Sequence, residues 1–156
     1  MGIDMNFDLA YAKAAIAAGQ RLPESGSGVF VSVRDEDKGA IGPVAAALAD
    51  LGFKLFATQG TADAIAAAGG SAEVIYKISE GRPNASDALV NGDVKMMIIT
   101  SAGDEPDVRD GRDLRRQALE LSVPLVTTVS GAAATTGALK ELKRDTVQQV
   151  PLQDYF

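Results

Sequence analysis

The sequence predicts an α/β fold: a three-layer, doubly wound sandwich around a mainly parallel five-stranded sheet. Two observations carry that prediction. From residue 29 onward, short β-branched runs alternate with alanine- and leucine-rich helical stretches. That alternation implies a parallel sheet covered on both faces and wound right-handedly. The most hydrophobic run, Val94-Lys95-Met96-Met97-Ile98-Ile99-Thr100, has the composition of a central strand buried on both sides.

Residues 7–20 read as an alanine-rich amphipathic helix with Asn6 or Asp8 at its start. Residues 21–28 are a linker by composition, so helix and linker look like an appendage to the α/β domain. Residues 29–33 form the first strand, and a helix runs from about 37 to 51 with Gly52 as its cap. The second strand covers residues 53–57, and its helix, from Ala62 to Ala68, stops at Gly69-Gly70. A third, short strand at 73–77 precedes a short helix at 84–91. The fourth strand spans 94–100, succeeded by a helix at 109–121 with Leu114, Ala118 and Leu121 on one face. Residues 123–129 give the fifth strand and 131–143 the last helix, with an edge strand at 146–150 before a polar tail.

Composition narrows the chemistry. A chain of 156 residues with 46% hydrophobic content makes one ordinary domain. Its net charge of −6 argues against nucleic acid or an anionic membrane as partner. No run is long and apolar enough to span a bilayer, no signal-peptide pattern opens the chain, and the expected compartment is the cytoplasm. The chain has no Cys and no His, which removes thiol nucleophiles, thiolate zinc sites and imidazole acid–base catalysis. No metal and no cofactor is expected.

In a parallel sheet, ligands bind at the carboxyl ends of the strands. Those ends carry a distinctive set here: Lys38 after strand one, Thr58, Gly60 and Thr61 after strand two, and Lys77 after strand three. Strand four delivers Thr100 and Ser101, and strand five delivers Thr127 and Thr128. A helix N-terminus with unpaired N–H groups attracts phosphate, and Gly60 lets an anion reach the backbone. Two lysines supply charge, and the hydroxyls supply geometry. An ordinary N-cap by Thr58 or Thr61 is the competing reading of that turn. The acidic run Asp35-Glu36-Asp37 complements the dipole of the helix it opens, and Arg112, Arg115 and Arg116 form one basic helix face. There is no Gly-x-x-x-x-Gly-Lys loop and no Rossmann glycine triplet.

The ordered series Val31-Ser32-Val33-Arg34, Asp37-Lys38, Gly52-Phe53, Ala57-Thr58-x-Gly60-Thr61, Lys77-x-x-Glu80-Gly81-Arg82-Pro83, Arg115-Arg116 and Thr127-Thr128 resembles the methylglyoxal-synthase-like domain. In particular it resembles the C-terminal allosteric domain of the carbamoyl phosphate synthetase large subunit. The opening Met1-Gly2-Ile3-Asp4 and Phe7-x-x-Ala10-Tyr11-x-Lys13-Ala14 resemble the end of the ATP-grasp half before that domain. The resemblance implies that residues 1–27 are a helix and linker from the preceding domain and that residues 28–156 are the allosteric domain. It implies binding of nucleotide monophosphates, UMP and in some members IMP, with phosphate contacts at Lys38, Thr58, Thr61 and Lys77. It places Ser32 on the same cleft and Thr127 at an ornithine site shared with the adjoining synthetase domain. The implied partners are the rest of the large subunit and the glutamine amidotransferase small subunit, and a homo-oligomer is allowed. Members with Asn-Thr-Thr after strand four differ from Ile99-Thr100-Ser101 here, which removes an amide contact near the ribose and base. The alternative is a lyase like methylglyoxal synthase, which needs a carboxylate base and, in the family, an imidazole. Asp87 is the only nearby carboxylate that the sequence offers for that role.

Overall fold

Strand β1 (Gly28–Val33) is the axis of the sheet in the computed structural model, which describes residues 1–100, 105–144 and 146–156. It pairs in parallel with β2 (Lys54–Ala57) on one side and β4 (Val94–Thr100) on the other. The short strands β3 (Glu73–Val74) and β5 (Leu125–Val126) add the two edges, also in parallel. The resulting order is β3-β2-β1-β4-β5. The chain therefore winds outward from β1 in one direction and then returns to continue from β4 in the other. The predicted sandwich of five parallel strands is the fold observed.

Alternation along the strands assigns the layers. Val29, Val31 and Val33 of β1, with Met96 and Ile98 of β4, pack under α2 (Lys38–Asp50), α3 (Gln59–Ala67) and α6 (Val129–Arg144). Phe30, Met97 and Ile99 face the opposite layer, α4 (Ala85–Val90) and α5 (Glu105–Glu120). Both faces of β1 and β4 are buried, which is why their sequences read as continuous apolar runs. Ser32 is the polar exception in β1, half-buried at its carboxyl end.

Several boundaries differ from expectation for identifiable reasons. β3 stops at Val74 because Tyr76 makes only an isolated bridge to Asn84, and Lys77 opens a 3₁₀ turn (Ile78–Glu80). Helix α3 starts at Gln59, so Gly60 and Thr61 lie in its first turn. Helix α5 starts at Glu105 and accommodates Pro106 in its first turn, where a missing N–H costs no bond. Helix α6 begins at Val129, with Thr128 Oγ1 accepting from the Gly131 N–H at 3.0 Å. The expected edge strand at 146–150 does not form; those residues carry no regular structure and lead into a 3₁₀ turn (Leu152–Tyr155).

Helix α1 (Phe7–Ala17) lies outside α6. Asn6, not Asp8, caps it, accepting from the Asp8 and Leu9 N–H groups. It is not amphipathic in the expected sense. It buries its small residues Ala12 and Ala15 while Phe7 and Ile16 stay exposed. The close approach is possible because a side chain at Gly137 of α6 would overlap the Asp8 carboxylate. Tyr11 Oη and Thr135 Oγ1 share a hydrogen bond of 3.3 Å across the same contact.

The C-terminal tail is clasped to this helix. Lys13 Nζ donates to Asp4 Oδ2 at 2.7 Å and to Tyr155 Oη at 3.0 Å, and Tyr155 Oη donates to the Ile3 carbonyl at 3.0 Å. The Asn6 N–H and the Lys13 ammonium hold the Asp4 carboxyl below its ordinary value of 3.8. Hydrogen bonds to Asp4 and Tyr155 hold Lys13 above its ordinary 10.5. The depressed Asp4 stabilises the clasp fully above 3.8 and stops doing so as pH falls through its lowered folded value. The raised Lys13 contributes fully below 10.5 and ceases to as pH rises through its raised folded value. Between those limits, amide hydrogen exchange at Tyr155 and Phe156, corrected for intrinsic rates, is expected to be flat in pH. It should accelerate on the acid side, and Asp4→Asn should remove the acid step; an acid step retained in that variant assigns it elsewhere.

Candidate functional site

A cleft of about 200 Å³ opens at the carboxyl ends of β1, β2 and β4. It lies at the point where the winding direction reverses between β1 and β4, the position where doubly wound sheets bind ligands. Lys38, Thr58, Gly60, Thr61 and Lys77 all line it, and so do Ser32 and Thr100. Thr127 is exposed on a neighbouring pocket with Thr128 and Ser130, and Arg34 and Thr100 line both pockets. Ser101 lies outside the described residues.

One end of the cleft is cationic. Gly60 matters there by what it lacks: a Cβ at that position would sit 2.9 Å from Lys38 Nζ. The ammonium therefore lies almost against the first turn of α3. The N–H groups of Thr61 and Ala62 are both taken by the Thr58 carbonyl, while helix geometry leaves those of Gln59 and Gly60 without an intrahelical acceptor. Lys38 also pairs with Asp35, an exposed carboxylate. That hydrogen bond and charge, with a smaller contribution from Lys77, hold the Asp35 carboxyl below the usual range. Asp35, Lys38 and Lys77 all line the cleft.

The hydroxyls are linked in a chain. Thr58 occupies the N-cap position of α3, yet its side chain makes no cap hydrogen bond, so the ordinary N-cap reading is not what the structure shows. Instead Thr58 Oγ1 donates to Thr61 Oγ1 at 3.3 Å and shares a bond of 3.4 Å with Ser32 Oγ. Thr61, 1% exposed, accepts the Val33 N–H at 3.1 Å, which pins α3 to the end of β1. Thr100 Oγ1 accepts the Arg34 N–H at 3.2 Å and ties the loop after β1 to the end of β4.

The other end is apolar, floored by Phe30 and Ile99 and walled by Ile78, Ala85 and Leu114. The carboxylate at that end is Asp110, a residue that sequence reasoning missed. Asp110 Oδ2 accepts from the Ser79 N–H at 3.0 Å and the Ser79 hydroxyl at 2.6 Å. A signal for it existed: Asp110, Leu114 and Ala118 recur every fourth residue, so the buried stripe of α5 extends back onto an acid. Asp87, the expected nearby carboxylate, does not line the cleft; it accepts the Asn84 N–H at 3.0 Å and pairs with Arg82 at 3.5 Å. Among the described residues no group of His, Cys, Asp or Glu could hold a metal ion.

The sheet order and the two-ended cleft at its switch point define a doubly wound α/β domain with a polar cleft at the carboxyl ends of its strands. The chain belongs to the MGS-like domain family, whose model matches residues 40–127. It is similar throughout to the carbamoyl phosphate synthase arginine-specific large chain, chloroplastic, of Oryza sativa subsp. japonica, at 49% identity over 156 residues, which is 100% of this chain and 13% of that protein. The carbamoyl phosphate synthase large chain of Mesorhizobium japonicum is 47% identical over the same 156 residues, 13% of its length. That of Nostoc sp. is 41% identical over 155 residues, covering 99% of this chain and 14% of the relative. The chain thus spans 13–14% of the length of these relatives. Among the described residues no helix is long and apolar enough to cross a membrane.

Proposed function

We propose that this domain is a regulatory module of a glutamine-dependent carbamoyl phosphate synthetase large chain and binds a nucleoside monophosphate, UMP or IMP, as effector. The observation that carries the reading is the pairing of a cationic helix end, with Lys38 against Gly60, and an apolar floor of Phe30 and Ile99 in one cleft. A phosphate monoester suits the first and a flat base suits the second. In this reading Lys38, Thr58, Gly60, Thr61 and Lys77 hold the phosphate, and Ser32 and Thr100 line the rest of the pocket. Thr127 faces the adjoining synthetase domain and contributes to an ornithine site. The module itself carries no active site, works with the remainder of the large chain and the amidotransferase subunit in the cytoplasm, and serves pyrimidine and arginine synthesis. Residues 1–27 are read as the end of the preceding domain.

Calorimetric titration of the 156-residue chain is the direct test. Saturable heat with UMP or IMP, absent with uridine, is the expected result, because the phosphate supplies the charge-assisted contacts. Equal heats with uridine would overturn the reading. The lyase alternative predicts methylglyoxal from dihydroxyacetone phosphate. No turnover above a buffer blank is expected: Asp87 does not line the cleft, Asp110, which does, is held by two donors of Ser79, and the chain has no His.

A further inference from the structure

Asp110 is a buried carboxylate of the cleft to which phosphate binding gives no task. It is only 8% exposed, and burying a carboxylate is costly unless donors satisfy it. Two donors to it come from Ser79, two residues beyond Lys77. The turn that carries Lys77 is closed locally by the Lys77 N–H on Glu80 Oε2 at 2.9 Å and the Glu80 N–H on the Lys77 carbonyl at 3.1 Å. Those two bonds set the shape of the turn but not where it stands over the cleft. The bonds to Asp110 tie it to α5, a 16-residue helix fastened to the sheet through Leu114 and Ala118.

We propose that Asp110 is a positioning residue: by gripping Ser79 it sets the Lys77–Glu80 turn against α5 and so places the Lys77 ammonium at the cleft. This rests on the phosphate-binding reading above. It makes a displacement of α5 felt at the anion site without any contact between α5 and the anion. It also predicts an effect opposite in sign to simple electrostatics. Removing a negative charge from the cleft should strengthen anion binding, whereas releasing the turn should weaken it.

The experiment is a calorimetric double-mutant cycle on the 156-residue chain with UMP as probe. Asp110→Ala is expected to weaken binding about tenfold, the smaller effect of losing one charge-assisted contact. Asp110→Asn keeps an acceptor oxygen for Ser79, so it should bind UMP at least as well as the parent chain. In a Lys77→Ala background, the loss from Asp110→Ala should vanish, since nothing remains to be positioned. Ser79→Ala should weaken binding about threefold in the parent and not at all in the Lys77→Ala background, and it decides the matter if Asp110→Ala does not fold. Unchanged or tighter UMP binding in Asp110→Ala, or an equal loss with and without Lys77, overturns the positioning role alone. A parent chain that binds neither UMP nor inorganic phosphate overturns the phosphate-binding reading, and this proposal with it.

Discussion

Alanine at both Lys38 and Lys77 is expected to weaken UMP binding by roughly a hundredfold or more, because each charge-assisted contact is worth about 1.5–3 kcal/mol. The two effects need not add. Both ammonium groups act on Asp35, so removing either changes the field at the other. Lys38→Ala carries a second consequence, since its ammonium lies beside Gly60 at the start of α3 and its loss empties that end of the cleft of its closest cation. The fold should survive, because Lys38 is 34% exposed and Asp35, its ion-pair partner, is 92% exposed. Calorimetry gives the affinity, and thermal melting of the same samples shows that the loss is local. UMP affinity unchanged in the double variant, with a normal melt, would sink the site assignment.

Gly28→Ala is expected to destabilise the domain by about 3 kcal/mol, at the upper end of what overpacking a core costs. A Cβ at Gly28 would overlap the Asp93 carbonyl oxygen and lie 2.7 Å from the Phe56 ring. The ring could swing aside; the Asp93 carbonyl cannot, because it precedes β4, which pairs with β1 along its length. The register between these strands already shifts at Gly28 and Val29, so the crowding falls where the ladder is irregular. Urea denaturation monitored by circular dichroism measures the change. A loss below about 1 kcal/mol would mean that the strand entry relaxes more easily than the packing indicates.

Gly28 also shows where linear reading stops. In sequence it closes a Pro-, Ser- and Gly-rich stretch and reads as linker, and in the fold it is the first residue of the central strand. Nothing local separates the two cases. The difference lies in Asp93, brought alongside only when β4 pairs with β1. The edge strands teach the same lesson. Residues 123–129 have strand composition, yet only Leu125–Val126 pairs, because β5 has a neighbour on one side alone. The tail at 146–150 had the same promise, but Tyr155 fastens it to Ile3 and Lys13 on α1 instead.

The candidate site divides along a similar line. Lys38, Thr58, Gly60, Thr61 and Lys77 were legible as a set because any parallel sheet brings the carboxyl ends of its strands to one edge. Asp110 and the Leu114 wall were not read as part of the site, because their arrival depends on how α5 lies across the sheet and which of its faces turns inward. The sequence by itself determined the alternation of strand and helix, the parallel sheet and the edge on which polar groups gather, since these arise from periodicity and chain direction. Only the tertiary structure decided that Lys38 rests against Gly60, that Thr61 holds Val33, and that Asp110 grips Ser79. Those contacts join residues far apart in the chain, and their distances are set by packing between layers, a quantity no local pattern encodes.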